Sequence, residues 1–430
     1  MTAHTTPQSA PRGDRRGGDR IVITGLGVVS PAGVGTAAFW ESLQSGVSAI
    51  GRQLNPTAAA LPSRLTAEVP DFDPKAFVGD RKFIKVMSRD IQFGVAAAKM
   101  AMADAGLAAG DVDPLRLGVE FGAGHMGFAP ADLADAARAM RDGEWADGPM
   151  GRIAPLWLLP QLPNMPACHV AIDHDAQGPN NTITSGDASA LLALSEAVRV
   201  IERDQADVMI VGAASSRLDP LELARLNLFE TLSRCEDPDE APRPFDRDRD
   251  GTIVGEGGAV FVVERLSHAA RRGADVYGEV LAVGAGCDGR DAEKAAGLST
   301  SISAALRRSG LRPAELGHVN AHAKGTVEGD RQEAAAYHRV LGGAAASLPV
   351  TSLKGYFGSF DAGSGAVELA GSLLSLRHGV VPMSLRHRTP DPACGLHVVD
   401  DGPARLRTRT AMSVSRTSLG QSAAAIVRAL

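Results

Sequence analysis

The sequence predicts an α/β protein built from layered, partly parallel sheets. Three observations carry that expectation. Short β-branched runs ending in glycine alternate with alanine-rich amphipathic segments along both halves of the chain. Glycine is abundant at 48 residues, while aromatics make up only 4%, a composition suited to helices laid closely on sheets. At 430 residues, the chain is long enough for two or three domain equivalents around a large core.

Taken in order, residues 1–19 are rich in Pro, Gly and Arg and read as a disordered tail. Order begins with the buried-strand pattern of 20–30, followed by helices over 35–46 and 90–105. Residues 118–124 form a second strand with a glycine exit, and the proline-studded stretch 125–170 reads as a loop-rich excursion. A strand at 182–184, a turn at Ser185-Gly186, a helix over 187–203 and a strand at 206–211 follow. The second series has strands at 259–264, 276–283, 318–321, 349–351 and 410–414. Helices at 300–308, 329–341 and 363–377 lie between them.

Composition excludes several function classes. A net charge of −6 offers no phosphate-tracking basic stripe, so nucleic acid is not an expected partner. No apolar run reaches the roughly 18 residues that span a bilayer, and the N-terminus has no secretory apolar core. Cys168, Cys235, Cys287 and Cys394 are widely spaced and suggest neither a disulfide framework nor zinc. A cytoplasmic protein is expected.

The segment Gly178–Ala190 (GPNNTITSGDASA) is the most informative. A strand, a small-residue turn and a helix make an elbow whose turn residue faces a helix N-terminus, where backbone N–H groups favour an anion. A Ser or Cys nucleophile belongs there in an enzyme, and here the residue is Asp187. On local spacing alone, Asp187 reads first as an N-cap.

Several blocks in the right order resemble the β-ketoacyl-ACP synthase (ketosynthase) family over residues 20–430. They are IVITGLGVVSP at 21–31, Gly178-Pro179, ADVMIVG at 206–212 and RPFDRDRDGTIVGEGG at 243–258. VNAH at 319–322, Gly329-Asp330, Lys354 and GAVE at 365–368 complete the series. The resemblance implies a thiolase-like fold: two pseudo-duplicated βαβ halves, 20–265 and 266–430, in a layered α-β-α-β-α arrangement. It further implies an acyl carrier protein as partner, a ketosynthase homodimer or heterodimer, and no permanently bound cofactor. The phosphopantetheine arm of the carrier delivers the substrate.

Members of this family use an elbow Cys, a His in N-A-H-G-T-x-T and a second His in K-x-x-x-G-H. By that resemblance Asp187 stands at the Cys position, His322 at the first His, Lys354 at the lysine and Ser359 at the second His. In the threonine segment Lys324 takes one threonine position and Thr326 keeps the other. The family's glycine-phenylalanine gate reads Thr417-Ser418-Leu419-Gly420, so Ser418 and Leu419 are expected along the substrate path.

A carboxylate is a poor nucleophile toward a thioester, and an acyl-aspartate would be a readily hydrolysed anhydride. Condensation by this chain alone is therefore not expected. One reading is a partner subunit similar in role to the chain length factors of type II polyketide systems, although those usually carry Gln at the elbow. The other is re-purposed chemistry on acyl carriers through Asp187 and His322: decarboxylation, hydrolysis, dehydration or acyl transfer. His322 and Lys354 are expected close enough to lower the Asp187 pKa. The charged run Arg243, Asp246, Arg249, Asp250 and Glu256 reads either as a solvated loop or as a buried network. His169 and His174, flanking Asp173 and Asp175, read as a solvated turn ahead of a metal cluster. Cys168 reads as a buried small residue.

Overall fold

The computed structural model describes residues 19–79, 81–124, 156–290 and 295–430, with 134, 137, 138, 140 and 141 besides. All of the expected tail except Asp19, and most of the expected excursion, lie outside them.

Ten strands carry the architecture. In the first half they are β1 (Ile21–Ser30), β2 (Leu117–Ala123), β3 (Asn180–Thr184), β4 (Val208–Ser216) and β5 (Val254–Arg265). In the second they are β6 (Gly278–Cys287), β7 (His318–Asn320), β8 (Pro349–Thr351), β9 (Thr410–Arg416) and β10 (Gln421–Arg428). The first half pairs in the order β3-β2-β4-β5-β1 and the second in the order β8-β7-β9-β10-β6. Polarity repeats too: the β1–β5 and β5–β4 pairs are antiparallel, as are β6–β10 and β10–β9. The remaining pairs of both halves are parallel. This identical order and polarity is the pseudo-duplication. Val22↔Glu279 and Ile23↔Gly278 join the two sheets edge to edge.

Among the described residues, nine helices run for six residues or more: α1 (Thr36–Ser45), α2 (Arg89–Asp104), α3 (Met165–Asp173), α4 (Ser189–Glu202) and α5 (Pro220–Phe229), then α6 (Leu266–Arg271), α7 (Ala296–Ser309), α8 (Val327–Leu341) and α9 (Ala362–His378). The third strand of each half leads to a helix of the middle layer, α4 after β3 and α9 after β8. Both pack on the two sheets and on each other. Leu191, Leu194, Leu369 and Leu373 build the central core between the sheets. A second core lies under α2 and α3, and a third under α7 and α8. Those cores give the five layers. Each fully buried aliphatic side chain contributes roughly 1.5–3 kcal/mol.

The glycine-alanine composition has a direct structural use. A Cβ on Gly27 of β1 would stand 2.0 Å from the Ala97 carbonyl oxygen, so α2 rests on bare backbone. Ala97, Ala98 and Ala101 fill that contact with no exposed surface.

Some local expectations change. The helix expected from 187 begins two residues later, because Gly186–Ala188 forms a 3₁₀ turn ahead of α4. Helix α3 overlaps the expected loop-rich excursion. Pro166 sits in its first turn, where a missing N–H costs nothing. Helix α5 was not anticipated. Asp219 caps it through Leu221 and Glu222, and Pro220 opens it.

Most of the charged run is a buried network: Asp246, Arg249 and Glu256 are buried, Arg243 is partly so, and Asp250 is exposed. Arg249 donates to the Asp246, Thr326 and Val327 carbonyls and to Asp391 Oδ2 at 2.6–3.1 Å. Glu256 binds Arg89 through two bonds of 2.6 and 2.7 Å and accepts from the Val69 N–H and the Ser216 hydroxyl. His169 is buried, edge-on to Phe83, which the solvated-turn reading did not anticipate. Cys168 is only half-buried and accepts from Asn164. Among the described residues, no three His, Cys, Asp or Glu side chains gather as metal ligands. No helix among them is long and apolar enough to cross a membrane.

Candidate active site

The elbow is built where β3 runs parallel to β2, ending with Ala123 opposite Thr184. Gly186 turns the chain at φ +50°, and the Ser189 hydroxyl locks the turn. It accepts from the Ser185 N–H at 2.8 Å and donates to the Ala123 carbonyl at 3.1 Å. A Cβ on Gly186 would meet Thr417 Cγ2 at 3.0 Å and Asp361 Oδ1 at 3.1 Å. Gly186→Ala is therefore expected to destabilise the protein by roughly 1–3 kcal/mol, read as a lowered urea midpoint.

Asp187 follows, only 4% exposed. Its carboxylate does not cap α4. Oδ2 accepts from Lys324 Nζ at 2.9 Å, and Oδ1 has no partner. Burial alone would raise its pKa, but the Lys324 ammonium, with Lys354 behind it, outweighs burial and holds the carboxyl well below the usual range. The same partnership raises the Lys324 ammonium above its ordinary value despite desolvation. This is an ionised, buried pair.

Lys324 is delivered by the loop that leaves β7. Glu333 of α8 accepts from the His322 and Ala323 N–H groups at 2.8 Å each, and from the Tyr337 hydroxyl. Asp330 accepts from the Gly325 N–H at 3.2 Å. His322 is buried and its Nδ1 has no partner. Burial, then the Lys354 cation, keeps its imidazole pKa well below the ordinary value, so it stays neutral. Lys354, fully buried, pairs with Glu368 of α9. Burial pushes the Glu368 carboxyl up to about 7 even beside that cation.

Asp187, His322, Lys324 and Lys354 thus converge, as expected for the first two and the last. The direct partner of Asp187, however, is Lys324, while Lys354 belongs to Glu368. Ser359 is buried, its backbone pinned to Ile253 and Gly255, and its hydroxyl makes no hydrogen bond to the four. Thr326 precedes α8, with its hydroxyl against Gly329. Ser418 lies 3.5 Å from Glu230 Oε1, and Leu419 is 79% exposed. Sequence reasoning missed Glu333 as the brace of the loop. It also missed Asp361 and Arg217, two buried charges beside the elbow.

Asp90 shows how these buried charges respond to pH. Burial, then proximity to Glu256 and Asp361, pushes its carboxyl up to about 7, although the Ser216 N–H bond opposes this. The unfolded chain ionises near 4 while the folded one keeps its proton. Stability therefore falls by about 1.4 kcal/mol per pH unit between these values through this group. Asp90→Asn is expected to flatten the decline across that window in urea titrations at stepped pH.

Comparison with known proteins identifies the family. The beta-ketoacyl synthase N-terminal domain matches residues 18–269, and the C-terminal domain matches 277–388. The chain belongs to the beta-ketoacyl synthase family. The tetracenomycin polyketide synthase ketoacyl synthase alpha subunit of Streptomyces glaucescens is 35% identical over 422 residues, covering 95% of this chain and 97% of that protein. The 3-oxoacyl-[acyl-carrier-protein] synthase 2 of Coxiella burnetii is 33% identical, with 92% and 95% covered. Among solved structures, the ishigamide ketosynthase/chain length factor superposes with a TM-score of 0.85 at 27% identity, over 96% of this chain and 99% of that one. A type II polyketide ketosynthase in complex with its acyl-carrier protein gives 0.83 at 27% identity, with the same coverage. The thiolase-like ketosynthase fold expected from the sequence is therefore present.

In this ketosynthase-family chain the elbow holds a charge that is already paired. An ionised carboxylate with a strongly depressed pKa is a weak proton acceptor, and the neutral imidazole beside it cannot donate as an imidazolium.

Proposed function

We propose that this chain is a non-condensing ketosynthase-like subunit of fatty acid or polyketide biosynthesis, acting as a chain-length-factor-like partner of an active ketosynthase. The observation that carries this reading is the buried Asp187–Lys324 ion pair at 2.9 Å. By the family resemblance it occupies the positions of the elbow cysteine and a substrate-binding threonine. Two substitutions that complement each other in charge consume both groups, and the residue matching the second histidine is Ser359. Similarity to a ketosynthase/chain length factor structure supports the role. So does the exposed edge strand β3, whose Asn180, Asn181 and Thr184 lie beside the elbow, where a partner subunit would sit. A carrier protein is the expected partner of the assembled pair, with Thr326, Ser418 and Leu419 along the approach of its phosphopantetheine arm.

One observation favours a second reading. Asp187 Oδ1 and His322 Nδ1 are both buried without partners, which suits a polar group held between them during acyl-carrier chemistry. Reconstitution separates the two. Mixed with an intact type II ketosynthase, a carrier protein and malonyl groups, the chain is expected to form a heterodimer that makes product, and to make none alone. Product, free acid or decarboxylated carrier from the chain alone would establish the second reading instead.

A further inference from the structure

Asp361 stands at the mouth of α9 as Asp187 stands at the mouth of α4, so the duplicated fold brings two carboxylates to one place. Asp361 adopts φ +58°, a conformation L-residues rarely hold, and is only 8% exposed. Its carboxylate sits in a cradle of two glycines. A Cβ on Gly124 would lie 1.8 Å from Oδ2, and one on Gly186 would lie 3.1 Å from Oδ1. Arg217, at the exit of β4, is also buried and donates to Glu222 Oε1 at 2.9 and 2.6 Å. Its guanidinium feels Asp361, Glu222 and Asp187 together, which raises its pKa against the cost of burial. Arg225 binds the same Glu222. Four charged groups, Asp187, Lys324, Arg217 and Asp361, therefore surround the elbow, two of each sign.

We propose that Asp361 and Arg217 close the space around residue 187 to apolar acyl chains, independently of the missing nucleophile. An acyl chain entering there would have to desolvate or displace these charges, which burial makes costly. The inference deepens the non-condensing reading and rests on it. It assigns to Asp361 and Arg217 a specificity role separate from residues 187, 322 and 359.

The test compares two variants. Asp187→Cys/Lys324→Thr/Ser359→His replaces the departed catalytic and threonine positions. The second variant adds Asp361→Gly and Arg217→Ala. Each is treated with iodoacetamide, a small neutral probe, and separately with an octanoyl-carrier thioester. Site-resolved peptide mass spectrometry then reads modification of the thiol introduced at position 187. Both variants are expected to be alkylated, which shows a folded, accessible thiol. Only the five-substitution variant is expected to be octanoylated, by roughly tenfold or more. Equal octanoylation of the two overturns the proposal, and so does octanoylation of neither while both are alkylated. If a variant fails to alkylate, Asp361→Gly alone in the three-substitution background replaces the five-substitution variant under the same criterion. Failure of the non-condensing reading is seen separately, as turnover by the unaltered chain.

Discussion

Asp187→Ala is expected to destabilise the protein by about 3–5 kcal/mol, because it leaves the Lys324 ammonium buried without its counter-ion. Adding Lys324→Met is expected to recover most of that loss, since an apolar pair avoids the desolvation cost of both charges. A double-mutant cycle in urea should thus give a coupling of at least about 2 kcal/mol. The sign of the pH dependence follows from the depressed carboxyl of Asp187. Its contribution is fully present above the ordinary carboxylate pKa and is lost only as pH falls through the lower folded value. The penalty of Asp187→Ala should therefore stay level from about pH 5 to pH 7. Additive single and double variants would mean that the pair does not hold the site together.

Asp187→Cys alone is expected to yield a reactive thiol and no condensing enzyme. The new sulfur would stand beside Lys324 at a helix N-terminus, both of which favour thiolate. Iodoacetamide should modify it at neutral pH roughly tenfold faster than the exposed Cys287. Condensation should remain some 10²–10⁴-fold below an intact family member, because the position of the second histidine still holds Ser359. Peptide mass spectrometry and a malonyl-carrier assay measure the two halves of this expectation. Condensation within tenfold of an intact ketosynthase would show that the elbow residue alone silences the chain.

Local signals made much of this legible. The β-branched run at 21–30, the glycine exits and the alanine-rich helices are short-range patterns, and they became β1 and α2 with small shifts at their ends. The elbow was legible for the same reason, and the ordered family blocks placed Asp187 and His322 together. What stayed hidden was set at long range. Lys324 and Asp187 are 137 residues apart, and only the pairing of the two halves brings them within 2.9 Å. The run 243–256 looks solvated until Arg89, 167 residues away, turns up as the partner of Glu256. Helix α3 was masked by a proline that is harmless in its first turn. Asp361 was hidden because a single carboxylate in a glycine-rich segment has no periodicity to break.

The most direct measurement is intact-protein mass spectrometry on malonyl- and acyl-loaded carrier proteins. The carriers are incubated with this chain, with Asp187→Ala/Lys324→Met, and with each of these plus an intact ketosynthase. The carriers are expected to keep their masses with the chain alone. They should elongate once the ketosynthase is present, equally well with the double variant. Carrier masses that change with the chain alone, and stop changing in the double variant, would contradict the partner-subunit role and identify the reaction by the mass gained or lost.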